Sequence, residues 1–113
     1  VVVKPGFYAK QQPQTAFELF KNSCQELLSE MPMAKLGVET AERQSQLGTI
    51  EELKSLAKQL PNVKPVLDFE AVYNRSRISQ KQALHQLQSF QPLYCYSKEQ
   101  LELDDYDLTV IKR

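Results

Sequence analysis

Residues 36–69, LGVETAERQSQLGTIEELKSLAKQLPNVKPVLDF, contain the pattern that decides the fold: two short apolar runs flank a helical repeat. The first run ends at Glu39 and the second ends around Asp68. Between them, Thr49 is followed three residues later by Glu52, which is a capping-box signature for a helix start. Apolar residues then recur at helical spacing: Ile50, Leu53, Leu56, Ala57 and Leu60. Because the flanking runs are continuously apolar rather than alternating, they predict two parallel strands joined by this helix.

The same alternation extends in both directions along the chain. Before this stretch, VVVKPGFYA (1–9) predicts a strand, and residues 12–32 predict a helix with a capping box formed by Thr15 and Glu18. Pro32 is expected to end that helix.

After it, VKPVLDFEAVY (63–73) predicts the third strand, ending around Asp68, and residues 68–75 are expected at the carboxyl end of that strand. Residues 76–90 predict a third helix, with Ser79 as a plausible cap, and PLYCYS (92–97) predicts a fourth strand. The tail 98–113 has no clear assignment, although LTVI (108–111) is strand-like.

This order predicts an α/β fold of consecutive parallel βα units, with helices covering at least one face of the sheet. A doubly wound open sheet and a stretch of a (β/α)8 barrel both fit. A barrel needs about 250 residues, so the 113 residues would form one domain of about half a barrel. The chain starts with Val inside a strand-like run, which is expected of a fragment or an isolated domain. In both architectures ligands bind at the carboxyl ends of the strands.

The composition is that of a soluble globular protein, with 42% hydrophobic and 25% charged residues. Basic and acidic residues number 14 each, so net charge favours neither nucleic acid nor an anionic membrane as partner. The sequence shows neither a membrane-spanning run nor a signal peptide, and a cytoplasmic location is expected. Cys24 and Cys95 fit no metal-binding spacing and are expected to be buried, reduced thiols.

Two carboxylates end successive strands, Glu39 and Asp68. Together they would suit a divalent ion or an acid/base pair. The alternative is structural: strand-end acids commonly cap helix amides or pair with Lys or Arg. His85, the single histidine, lies in a predicted helix and is expected to pack there rather than bind metal. Several aromatic and basic residues near strand ends offer stacking and phosphate contacts, or ordinary packing: Tyr73, Tyr94, Tyr96, Arg75 and Arg77.

Three stretches carry a resemblance to a known family: VVVKPGFY (1–8), LGVETAERQSQLGTIEEL (36–53) and PNVKPVLDFEAVYNR (61–75). In this order and spacing they resemble the endonuclease IV family, the metal-dependent abasic-site endonucleases of the xylose isomerase-like TIM-barrel superfamily. The likeness covers about residues 1–97 and is strongest in VETAERQSQLGT and VLDF.

The resemblance implies a hydrolase that cleaves the DNA backbone on the 5′ side of an abasic site. Such enzymes use a cluster of divalent metals, usually zinc, held by His, Asp and Glu at the strand ends. Glu39 and Asp68 fall on family metal-ligand carboxylates. The DNA-binding residues that the resemblance implies are Tyr8, Gln44, Ser45, Gln46 and Arg75.

The chain departs from the family at the histidines. Lys4 replaces the histidine of a His-Pro-Gly stretch, and Ala71 and Tyr73 replace two histidines after the Asp. Lys4 would repel a divalent ion and is expected to pair with Glu39 or Asp68 instead.

At the fourth strand end, Leu93 and Cys95 stand where the family has a histidine-rich segment. Cys95 has a ligand type that zinc accepts, but one thiolate cannot rebuild a multi-metal cluster. The expected cofactor content is therefore weak metal binding or none.

The leading hypothesis is a divergent endonuclease IV-like domain with a degraded metal site and little or no activity, serving in DNA or protein binding. A segment of an active repair enzyme is the second hypothesis. The third is an unrelated small α/β fold, either a DNA- or protein-binding module or a protein that acts on a small molecule at its strand ends. Half a barrel would expose an inner apolar face. A homodimer, a partner chain or a fold-back of LTVI is expected to cover it.

Overall fold

Strand order in the sheet follows chain order. The computed structural model describes residues 2–96 and 107–111. Its elements, in chain order, are β1 (Val2–Val3), α1 (Pro13–Glu30), β2 (Leu36–Glu39), α2 (Ile50–Gln59), β3 (Val63–Asp68), α3 (Phe69–Ser76), α4 (Gln80–Gln86), a 3₁₀ turn (Gln88–Phe90), β4 (Leu93–Tyr96) and β5 (Leu108–Val110).

All four neighbouring strand pairs are parallel and consecutive, in the order β1-β2-β3-β4-β5. One row of backbone partners runs from Glu39 through Val66 and Tyr94 to Thr109. A doubly wound sheet reverses its strand order at a switch point, whereas the described strands never reverse. The fold is therefore consecutive βα units of a barrel, and the doubly wound alternative is wrong.

Two of the three predicted helix starts are confirmed. Thr49 and Glu52 form a reciprocal capping box on α2, and Ser79 does the same with Gln82 on α4. The capping box predicted at Thr15 is wrong, because α1 already begins at Pro13. Proline is well suited to a first helical position, since it fixes φ and has no N–H to leave unsatisfied.

The segment after the third strand, for which no helix was predicted from the sequence, is a helix, α3. The Asp68 carboxylate accepts from the Ala71 N–H at 3.2 Å and so caps the start of that helix. Arg77 ends it in the left-handed conformation, with φ of 58°. The predicted helix 76–90 is correspondingly shorter, and α4 begins only after the cap at Ser79.

The two faces of the sheet differ in chemistry. The face toward the helices packs into two hydrophobic clusters, which contain Leu36, Val38, Val63, Leu67, Leu93 and Cys95. Side chains alternate along strands, so the intervening residues lie on the other face. That second face carries Glu39, Lys64, Val66, Asp68, Tyr94 and Tyr96. The inner face expected to be apolar is therefore largely polar at the described strands.

Both cysteines are free and buried, as predicted. Cys24 packs in the cluster around α1 and α2, and Cys95 packs in the cluster around α3 and α4. Burial raises the pKa of each thiol.

The strand-like prediction for LTVI is confirmed in part, because Leu108–Val110 forms β5. This strand adds to the edge of the sheet beside β4. The fold-back of LTVI over the inner face is therefore wrong. Residues 98–106, 112 and 113 of the unassigned tail lie outside the described residues. Among the described helices, none is long and apolar enough to cross a membrane.

Candidate functional site at the carboxyl ends of the strands

Glu39 lies at the carboxyl end of β2, beside the strand that leads to Lys4. The Lys4 ammonium is 3.9 Å from Glu39 Oε1, so the predicted pairing of these residues is confirmed. Residue Glu39 is only 6% exposed, whereas the Lys4 side chain is 67% exposed. The positive charge therefore sits at the solvent side of a nearly buried carboxylate.

Asp68 is held at the end of β3 by a buried neighbour, Thr40. The Thr40 hydroxyl accepts from the Asp68 N–H at 2.9 Å and donates to the Asp68 carbonyl at 3.4 Å. Thr40 is 2% exposed. The carboxylate itself caps α3 through Ala71. Both structural roles weighed for strand-end acids thus occur here: Glu39 pairs with a lysine, and Asp68 caps a helix.

The residues proposed as metal ligands are not gathered into a cluster. Cys95 packs in the helix-side core and lies on the opposite face of the sheet from Glu39 and Asp68. Ala71 is buried on α3, while Tyr73 is 52% exposed on the same helix. Within residues 2–96 and 107–111, no group of three or more His, Cys, Asp or Glu residues is placed to hold a metal ion.

Three segments from different βα units join into a continuous edge, which we call the rim: residues 6–8, 42–47 and 73–77. Phe7 forms an isolated antiparallel bridge with Gln46. The Tyr8 N–H donates to the Ser45 carbonyl, and the Leu47 N–H donates to the Gly6 carbonyl, both at 2.9 Å. These bonds fix the first segment of the rim against the second.

The second and third segments of the rim are tied by side chains. The Gln44 amide donates to the Arg75 carbonyl at 2.9 Å, and the Asn74 amide donates to the Glu42 carboxylate at 2.7 Å. The Gln46 side chain instead closes its own turn by accepting from the Arg43 N–H. The residues that the sequence predicted to contact DNA thus lie together in the rim. The side chains of Gln44 and Gln46 also stabilise the rim through hydrogen bonds within it.

The Glu52 carboxylate accepts hydrogen bonds from both the loop after β1 and the residues that begin α2. It accepts from the Gly48 and Thr49 N–H groups at 3.0 Å and from the Thr49 hydroxyl at 3.1 Å. The same carboxylate accepts from the Tyr8 hydroxyl, at 2.8 and 2.9 Å to its two oxygens. One helix-capping residue therefore joins the first rim segment to the start of α2.

Arg75 completes a relay through Tyr8. Its guanidinium donates to the Tyr8 hydroxyl at 3.4 Å, and that hydroxyl donates to Glu52. The guanidinium also donates to the carbonyls of Ala41 at 3.4 Å and Gln44 at 3.5 Å. Burial raises the pKa of Tyr8, and the bond to the Glu52 carboxylate raises it further, against the opposing influence of Arg75. Tyr8 is therefore a neutral donor between a cation and an anion.

The sequence patterns did not predict the roles of several residues in this region. Thr40 follows Glu39 directly, but its tie to Asp68 spans 28 residues, so no local pattern marks it. Glu52 was identified as a helix cap, whereas its bond to Tyr8 depends on tertiary contact across 44 residues. Phe7 is 59% exposed, which its position in an apolar run did not suggest.

No protein-family model matches the chain. Over 81 residues, the chain is 32% identical to the uncharacterized protein MJ0133 of Methanocaldococcus jannaschii. The match covers 68% of this chain and 29% of that protein, so the chain spans less than a third of the length of this curated relative.

Among solved structures, the chain is similar to the apo form of the 3-keto-D-glucoside 4-epimerase YcjR from E. coli, with a TM-score of 0.67 and 15% sequence identity. The similarity covers 96% of this chain and 54% of that one. At this identity the likeness shows the fold alone. The chain has the architecture of consecutive parallel βα units from part of a (β/α)8 barrel, as the sequence predicted.

Proposed function

We propose that this chain is a divergent endonuclease IV-like domain that binds DNA through the rim and cleaves it poorly or not at all. The observation that carries the proposal is the joined rim, in which Arg75 and Gln44 meet at the carboxyl ends of the strands. These are positions that the sequence resemblance assigns to DNA contact. Ligands of parallel barrels bind at this end of the sheet.

The donor set at the strand ends supports the expectation of a degraded metal site. Glu39 has an ammonium group 3.9 Å from one of its oxygens, and the Asp68 carboxylate caps a helix. A zinc cluster of the family type requires imidazoles beside the carboxylates, whereas Lys4, Ala71 and Tyr73 occupy those positions. The residues present do not fit such a cluster.

The rim has the chemistry of a phosphate-backbone contact. Residues 42–47 and 73–77 carry three basic residues and one acidic residue: Arg43, Arg75 and Arg77, and Glu42. The Glu42 carboxylate accepts from the Asn74 amide. Arginine and glutamine side chains, with backbone N–H groups, supply most protein contacts to DNA phosphates. A locally cationic edge can bind a polyanion although the whole chain is neutral.

Fluorescence anisotropy with a labelled duplex containing a tetrahydrofuran abasic analogue tests the proposal. We expect binding that weakens with salt, because phosphate contacts release counterions. Gln44→Ala and Arg75→Ala should each weaken it, and Arg75→Ala should lower the salt slope by about 1. Lys58→Ala, an exposed cation in the last turn of α2, is the matched control and should bind as wild type.

A cleavage assay on the same duplex tests the catalytic half of the proposal. We expect background cleavage with or without added zinc. Multiple-turnover incision that depends on zinc would contradict the proposed loss of activity. Absence of binding to both damaged and undamaged duplex would contradict the DNA-binding role, and a protein-binding scaffold would then be favoured.

We further propose that a second copy or a partner chain covers the open side of this partial barrel. β1 and β5 are the edges of the described sheet, and parallel barrels have no free edge. Sedimentation velocity should therefore give twice the 13.0 kDa chain mass, or the chain should co-purify with a stoichiometric partner. A stable, concentration-independent monomer would contradict the dimer.

A further inference from the structure

Two large aromatic side chains of the rim are exposed without a part in the contacts described so far. Phe7 is 59% exposed and Tyr73 is 52% exposed. Phe7 belongs to the first rim segment and Tyr73 to the third. The second segment is hydrogen-bonded to both the first and the third segment. The rim therefore presents two rings at its two sides.

The backbone that carries Phe7 is well fixed. The residue forms a bridge with Gln46, and bonds of 2.9 Å on either side join Gly6 to Leu47 and Tyr8 to Ser45. An exposed apolar ring on a fixed backbone is preorganised, because little backbone freedom is lost when a partner packs against it.

Tyr73 is already engaged by a planar cation. The Arg77 guanidinium carbon lies 5.2 Å from the centre of the Tyr73 ring. Arg77 reaches this position because its left-handed conformation ends α3, where its N–H donates to the Tyr73 carbonyl at 2.8 Å. The two groups form a cation–π pair, and aromatic rings and guanidinium planes are both groups on which nucleobases stack.

The charges around these rings favour one class of partner. Arg43 lies in the second rim segment, and Arg75 and Arg77 lie in the third. Glu42 is the acidic residue of these two segments. A neutral carbohydrate would also stack on aromatic rings, but it would make no use of three guanidinium groups. A strand that carries both bases and phosphates uses both features.

We propose that the rim binds unpaired nucleotides, with Phe7 and the Tyr73–Arg77 pair stacking on bases and Arg43 and Arg75 contacting phosphates. This inference rests on the proposed DNA-binding function and adds the class of DNA: single-stranded or locally unpaired rather than fully paired duplex. Stacked bases inside an intact duplex have no free face to offer, so pairing must be lost for these rings to bind.

Fluorescence anisotropy with labelled dT12, a matched 12-base-pair duplex and an uncharged oligosaccharide tests it. Wild type should bind dT12 more tightly than the duplex and should not bind the oligosaccharide. Phe7→Ala and Tyr73→Ala should each weaken dT12 binding by about 5- to 150-fold, the range for loss of one stacked base. Tyr73→Phe keeps the ring and should bind as wild type. Met33→Ala, which shortens a 94% exposed side chain away from the rim, is the control for general loss of exposed apolar surface.

The outcomes separate this inference from the function on which it rests. If wild type binds duplex DNA while Phe7→Ala and Tyr73→Ala bind dT12 normally, the stacking inference is overturned and DNA binding stands. If dT12 binds with the expected mutational losses but the abasic duplex does not bind, the stacking inference stands and the relation to abasic-site repair falls. Tighter binding of the oligosaccharide than of dT12 would overturn the choice of partner.

Discussion

The Tyr8 hydroxyl donates to the carboxylate of Glu52, at 2.8 and 2.9 Å to its two oxygens, although 44 residues separate them. This bond joins the loop after β1 to the first turn of α2. The same carboxylate caps that helix through the Gly48 and Thr49 N–H groups. One side chain therefore serves both the local start of a helix and the tertiary placement of a loop.

Glu52→Ala should lower the free energy of unfolding by about 2–3 kcal/mol, because it removes a charged acceptor from several donors at once. Glu51→Ala is the matched control: Glu51 lies in the same helical turn but is exposed. That control should cost about 0.3–1 kcal/mol, the size of a helix-dipole effect. Urea denaturation followed by circular dichroism measures both. Equal losses in the two variants would show that the Tyr8 and backbone bonds contribute little.

Tyr8 should make stability depend on pH in the alkaline range. Its folded-state pKa is raised, so the neutral hydroxyl is favoured in the native protein. The stabilisation is fully present below the ordinary tyrosine pKa of about 10 and is lost as pH rises through the raised value. Tyr8→Phe should therefore cost about 1 kcal/mol at neutral pH and lose less stability than wild type above pH ~10. Urea denaturation at a series of pH values measures both proteins, and a profile for Tyr8→Phe that runs parallel to wild type would contradict the assignment.

Gly48 should tolerate no side chain, in contrast to Gly6. A Cβ at Gly48 would lie 2.8 Å from both the Cβ and the N of Ala41, and its φ of +136° disfavours any other residue. Gly6 also has a positive φ, +89°, but faces open space. We expect Gly6→Ala to cost about 1–2 kcal/mol for strain alone and Gly48→Ala about 3 kcal/mol or more. Thermal unfolding of the pair separates backbone strain from steric clash, and similar costs would refute the clash.

Lys4→His should increase zinc affinity on the order of tenfold, because it removes a cation 3.9 Å from Glu39 and supplies an imidazole. Lys10→His adds an imidazole at an exposed position outside the strand ends and controls for adventitious binding. Equilibrium dialysis with metal analysis measures both. If wild type and Lys4→His bind zinc equally, the lysine is not what weakens the site.

The two thiols should react only after unfolding. Cys24 and Cys95 are 3% and 0% exposed, and burial raises the pKa of both, which lowers the thiolate fraction at pH 8. We expect slow labelling by a disulfide reagent in buffer and rapid labelling in concentrated guanidinium. Fast stoichiometric labelling of the native protein would contradict the buried positions.

The fold was predictable because its signals are local. Continuous apolar runs marked β2 and β3, and the capping box at Thr49 marked α2, since both arise from residues close in sequence. The short helix α3 was missed because its cap, Asp68, also ends a strand, so the sequence left open whether this carboxylate caps a helix or binds a ligand. Residue types shared between two elements are ambiguous when only the sequence is available.

For the candidate site, the sequence predicted which residues lie there but not the contacts between them. The carboxyl ends of the strands follow from the fold class, and so do Glu39, Gln44, Asp68 and Arg75 as residues near them. The contacts that hold these residues depend on side-chain geometry across distant segments, as in the bond from Gln44 to the Arg75 carbonyl, which spans 31 residues. The tie from Thr40 to Asp68 is of the same kind, and no spacing rule encodes it.

The agreement of strand order with chain order has a consequence for biosynthesis. Each strand of the described sheet pairs with the strand made just before it, as in the partnerships of Val3 with Val38 and Glu39 with Val66. As the chain leaves the ribosome, every new strand therefore meets a neighbour that has already emerged. Because no pairing has to wait for a distant segment, the loops to be closed stay short and assembly can proceed one unit at a time.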